Sequence, residues 1–252
     1  MSVSSAYSEI AQGAELMAAA ISEGGKLIYA AAGSSGLMAL ADASELTGTF
    51  GIPPEKIEIH MAGGVPADGR MPGHTEDQVS HVDFAKEDIA IILSASGSTP
   101  YSLSIAEQAK KAGAKIIALA NNGGTPLLEK ANVAIHLPTQ PEVVAGSTRL
   151  GAGTAQKVAL NMLSTMMGVK LGHVFKGMMV NVIADNEKLR QRAQNIVCNI
   201  ADVSNDTAQS ALAQTNGDVK TAIIVASGRS VETAIKLLKH NKGHLDPCLK
   251  PN

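Results

Sequence analysis

The chain has 252 residues, 45% of them hydrophobic and only 2% aromatic, with no tryptophan and a net charge of -2. That length suits one large domain, or one domain with a small appendage. With neither a basic field nor stacking platforms, it argues against nucleic acid or a membrane surface as partner.

The first helix is expected over 5–22, where Ile10, Ala14, Met17, Ala18 and Ile21 recur at helical spacing and Gly24-Gly25 stops the run. Lys26–Ala31 reads as a strand that enters a turn, Gly33-Ser34-Ser35-Gly36, and then a helix over Leu37–Leu46. Lys56–Met61 alternates and reads as a second strand. Residues 62–86 are rich in Gly, Pro, His and charge, as binding loops and lids often are. The apolar run Ile89–Leu93 predicts a strand buried on both faces. It leads through Ser94, Ser96, Gly97, Ser98 and Thr99 to Pro100, which suits a first helical turn because its missing N–H would have no partner there. Strands at Lys115–Asn121 and Val133–Leu137 flank a short helix near Pro126–Lys130. The alternation predicts an α/β fold with a doubly wound, parallel, five-stranded sheet. A long helix over Ser147–Leu171 follows, with Met162, Met166 and Met167 as core or interface. Beyond Asn186 the texture is helical only: about 186–200, 204–214, 218–226 and 230–241. The expected division is a sheet domain over 1–195 and a small helical bundle over 196–252.

Two serine-rich turns at strand ends combine N–H groups, hydroxyls and the positive end of a helix dipole, which suits a phosphate. Ser34, Ser35, Ser96, Ser98 and Thr99 are therefore candidate ligands. None has a neighbouring His, so a Ser–His–Asp hydrolase is not suggested. G-x-G-x-x-G is absent, so neither turn is a dinucleotide fingerprint. Asp42 and Glu45, three residues apart, are expected on one helix face. Glu76 lies in the irregular segment. Two carboxyl groups from separate segments could divide acid and base work. His74, Glu76 and His81 have no trusted metal-ligand spacing. Glu142 precedes Ser147-Thr148-Arg149, and Arg149 and Lys157 could bring positive charge to a ligand. Cys198 and Cys248 form no disulfide framework, and the N-terminus lacks the features of a signal peptide, so a cytoplasmic location is expected.

Taken together, IYAAAGSSG with DASE and TFG, then MAGG, SASGSTPY, PEVVAGSTRLGAGTAQKVALNMLST and NEKLRQRA resemble the N-acetylmuramic acid 6-phosphate etherases of the sugar isomerase (SIS) fold. The resemblance implies cleavage of a lactyl ether to D-lactate and N-acetylglucosamine 6-phosphate, with no metal or nucleotide cofactor, by a homodimer. It assigns Glu45 as proton donor and Glu76 as the second catalytic carboxylate. It gives sugar-phosphate binding to Ser34, Ser35, Ser96, Ser98, Thr99, Glu142, Ser147, Arg149 and Lys157. Leu37 and Ser98 stand where the family usually has arginine. Two other readings share the scaffold: a sugar-phosphate-binding regulator without turnover, and an aldose–ketose isomerase using Glu142 as base.

Overall fold

Ile89–Leu93 (β3) is completely buried, as are all residues of Leu27–Ala31 (β1) beside it. These two strands form the middle of a five-stranded sheet in a computed structural model that describes residues 2–71, 73 and 75–250. Ile57–Met61 (β2) pairs with the free side of β1, while Lys115–Ala120 (β4) and Val133–His136 (β5) extend the sheet beyond β3. Every pairing is parallel, giving the order β2-β1-β3-β4-β5. Burial follows position: β1 and β3 are covered on both faces, and the edge strand β5 alternates between buried and exposed.

Helices fill the two faces. Pro100–Ala112 (α4) and Pro126–Lys130 (α5) bring Tyr101, Ile105, Ala106, Ala109 and Leu127 against Ile28, Ala30, Ala90, Ile92, Ile116 and Ala118. The opposite face carries Tyr29, whose hydroxyl meets Asp42 of Gly33–Ala43 (α2). It also carries Ile117, close to Gly13 of Tyr7–Ser22 (α1) and Leu163 of Gly151–Lys170 (α6). The chain turns one way from β1 to β2 and the other way to reach β3. The switch point between β1 and β3 is where ligands sit in such sheets.

The chain divides into two compact units: Met1–Glu45 with Pro53–Met167, and Leu46–Ile52 with Gly168–Asn252. The second unit therefore starts well before 195, a position inside the helix Glu187–Ala201 (α7). It includes Leu46–Phe50 (α3), because the Asn181 side-chain amide donates to the Phe50 carbonyl at 3.0 Å. It also holds a hairpin, Val174–Phe175 (β6) and Met178–Met179 (β7), too short to leave a periodic signal. After α7 come Asn205–Gln214 (α8), Val219–Ala226 (α9) and Val231–His240 (α10), packed around Val197, Ala208, Ala222, Ile223 and Leu245. Among the described residues, no helix is long and apolar enough to cross a membrane.

Candidate functional site

The first serine-rich turn is part of a helix: α2 begins at Gly33, with Ala32 extended before it, so Ser34 and Ser35 lie in the first helical turn and not in a loop before Leu37. Gly33 has φ +56°, and a methyl carbon added to it would lie 3.1 Å from Glu76 Oε1. Glycine thus allows the left-handed backbone and lets the carboxylate close on the turn. Glu76 arrives there from the irregular connection between β2 and β3. The Tyr101 N–H donates to the Glu76 carbonyl at 2.9 Å, and the Thr75 hydroxyl donates to the Ala62 carbonyl at 3.2 Å. Farther along, the Gln108 side chain holds Ser80 and Val82, so the segment is laid along α4. His74 lies outside the described residues. Among the described residues no cluster of His, Cys, Asp or Glu suits a metal ion.

The second turn is a network of hydroxyls. Ser94 Oγ is 2.8 Å from Thr99 Oγ1 and 3.2 Å from Ser96 Oγ, and it accepts the Gly97 N–H at 3.0 Å. The Ser98 N–H and hydroxyl both donate to Ser96 Oγ at 3.2 Å. Gly97 has φ +69° and a side chain there would collide with Thr125, so only glycine lets the turn approach the loop after β4.

A cavity of about 320 Å³ opens beside this turn at the carboxyl ends of the strands, lined by Ala95, Ser96, Asn121, Gln140, Glu142 and Thr148 among others. Ser34 Oγ and Thr148 Oγ1 share a hydrogen bond of 2.7 Å, which joins the first turn to the segment before α6. The Glu142 carboxylate accepts the Ala152 N–H at 2.9 Å and the Gly151 N–H at 3.1 Å. These bonds hold its carboxyl below the ordinary glutamate range. They also explain why α6 starts at Gly151 and not at Ser147: its cap comes from outside the local sequence. Ser147 is half-buried in the preceding turn, its N–H donating to the Val144 carbonyl at 3.0 Å.

Other candidates lie apart from the cavity lining. Arg149 is exposed, and Lys157 donates to Asn161 Oδ1 at 2.7 Å. Glu45 is exposed, its N–H donating to the Asp42 carbonyl at 3.1 Å. Glu45 lies just past the end of α2 at Ala43. Asp42 is buried: Tyr29 donates to Oδ2 and Ser164 to Oδ1, both at 3.0 Å. Burial raises its carboxyl above the ordinary aspartate range, opposed by those two bonds and by the Lys157 charge. Sequence reasoning passed over Asn121, Asn122, Thr139, Gln140 and Thr148, which line the cavity. Their one signal is position, just past the carboxyl ends of β4 and β5 or before α6.

The sheet is doubly wound and parallel with both turns at its switch point, and the family model that matches it, over residues 2–121, is that of the SIS domain. A protein of Escherichia coli, solved as a complex with a small molecule, shares the fold, with a TM-score of 0.53 at 18% identity over 70% of this chain and 87% of that one. Closer in sequence is the N-acetylmuramic acid 6-phosphate etherase of Deinococcus radiodurans, 41% identical across 89% of this chain and 76% of the relative. N-acetylmuramic acid 6-phosphate etherase 1 of Vibrio cholerae is 38% identical across 99% of this chain and 86% of its own length. The chain belongs to the N-acetylmuramic acid 6-phosphate etherase family.

Proposed function

We propose that this protein is a carbon–oxygen lyase that removes D-lactate from N-acetylmuramic acid 6-phosphate or a closely related sugar phosphate. Family membership supplies the reaction. The structural observation that carries it to these residues is the Glu76 carboxylate lying against Gly33 at the mouth of the sheet. The hydroxyls of Ser34, Ser35, Ser96, Ser98 and Thr99 bind the phosphoryl group at the first turns of α2 and α4, where the helix dipoles favour an anion. Ring opening exposes the C1 aldehyde and acidifies the C2 proton. Glu76 takes that proton as the C3–O bond breaks, and Glu45 protonates the departing ether oxygen, which leaves as the hydroxyl of D-lactate. Water then adds its hydroxyl to C3 and a proton returns to C2. No step calls on a redox or nucleotide cofactor. The substrate, a sugar phosphate, and the thiols Cys198 and Cys248 suit a reducing cytoplasm. Exposed apolar side chains at Val143, Val144 and Leu150, beside the cavity-lining Glu142 and Thr148, support a homodimer.

Incubation with N-acetylmuramic acid 6-phosphate should release D-lactate and N-acetylglucosamine 6-phosphate in equal amounts. A regulator without turnover draws support from Glu45, which is exposed and outside the cavity lining. It would bind the sugar phosphate and release no lactate. An isomerase using Glu142 as base fits less well, because that carboxylate is engaged by the backbone of α6.

A further inference from the structure

We infer that Gln156 and Asn121 are positioning residues: their amide pair holds three walls of the cavity in register. The activity part of this inference rests on the lyase reading, and the structural part does not. Asn121 stands at the carboxyl end of β4. Its N–H donates to the Ala95 carbonyl at 3.1 Å, in the turn after β3. Its side-chain Nδ2 donates to the Leu137 carbonyl at 3.1 Å, just past β5, and lies 3.5 Å from the Ala152 carbonyl in the first turn of α6. Ala95, Asn121 and Ala152 all line the cavity. The Ala152 N–H is held in turn by Glu142, so this turn is fixed through both of its backbone polar groups.

Asn121 can do this in one orientation only. With Nδ2 facing carbonyl oxygens, its Oδ1 points the other way and needs a donor. Gln156 Nε2 supplies it at 2.9 Å, from one helical turn along α6 beyond Ala152. Gln156 is 1% exposed, and its other amide atom, Oε1, is buried without a partner. A buried unpaired acceptor lowers stability. A methionine of similar length and volume would fill the space and remove that orphan, leaving the Asn121 Oδ1 as the acceptor without a donor. An amide at 156 is thus poor packing chemistry and good positioning chemistry: it keeps Asn121 turned toward β5 and α6.

The test is Gln156→Met, examined for melting temperature, amide hydrogen exchange and turnover. Because one buried orphan acceptor is exchanged for another, the inference predicts a melting temperature close to that of the unaltered protein. It predicts exchange at Gly151 and Ala152 faster by about 10-fold or more, since their capping geometry loosens. It also predicts D-lactate formation reduced roughly 10- to 100-fold in kcat/KM, the scale of a small misplacement of bound substrate. A melting temperature lowered by about 10 °C or more, or failure to fold, would mean that Gln156 is ordinary core and would overturn the inference. Unchanged exchange at α6 would overturn it as well, as would faster exchange with undiminished turnover. If the unaltered protein releases no lactate, the lyase reading falls, while melting and exchange still decide the positioning role.

Discussion

The sheet unit and the helical unit use polar side chains in opposite ways. In the helical unit they act locally: Asn186, Ser204, Asp218 and Ser230 each accept the N–H three residues ahead and begin one helix. In the sheet unit they span the chain: Ser34 with Thr148 and Asn121 with Gln156 at the cavity, and Asp42 with Ser164 in the buried interior. Local bonds build elements, and distant bonds build a site. The helical unit has departures of its own: the Asn181 amide donates to the distant Phe50 carbonyl, and Lys220 is buried close to His173.

The sharpest contrast should come from exposed carboxylates of the sheet unit. Glu45→Gln and Glu76→Gln should each lower D-lactate formation by about 10²- to 10⁴-fold, the usual worth of general acid–base assistance. Both residues are exposed, so melting temperatures should hold. Equal loss of stability would erase the distinction between site and scaffold.

Asp42 tests a buried polar group of the same unit. Asp42→Ala strands the Tyr29 hydroxyl, leaves Ser164 only the Asn161 carbonyl, and should cost about 1–3 kcal/mol in urea unfolding. Its folded carboxyl titrates above its unfolded value, so it favours folding most at low pH, and that contribution is lost as pH rises through the folded value. Asp42→Asn, which removes the titrating carboxyl, should therefore flatten the fall in stability between the ordinary aspartate value and the higher folded value.

The helical unit should respond to acid through His173. Burial, reinforced by the charge of Lys220, pushes its imidazole down to about 4. The unfolded chain takes up this proton near the ordinary value of 6.5, so the stabilisation present above it is lost as pH falls toward 4. His173→Phe should flatten that acid limb in thermal melts. The smallest effect belongs to the caps. Ser230→Ala removes the acceptor for the Thr233 N–H and should cost about 1 kcal/mol, with no change in turnover.

The same division explains what could be read from the chain alone. β3 matches its expected bounds and α4 its expected start because an apolar run, a glycine turn and a proline are all local signals. The five strands, their parallel pairing and the last four helices were legible for the same reason. The starts of α2 and α6 were not. Ser34 and Ser35 look like loop residues until the backbone shows them inside a helix, and Gly151 is capped by Glu142 from nine positions away. The buried state of Asp42 depends on Ser164, 122 positions along, which no window on α2 contains. Glu76 was named from resemblance. Its approach to Gly33 follows from a connection without regular structure that periodicity cannot place.

The central claim, elimination by carboxylates at the mouth of the sheet, is tested most directly by running the reaction in deuterium oxide and examining the sugar product. Removal of the C2 proton by Glu76 and its return from solvent predict N-acetylglucosamine 6-phosphate carrying deuterium at C2, formed together with D-lactate. Lactate released with ordinary hydrogen retained at C2 would mean that the ether bond breaks by another route, and would contradict the account.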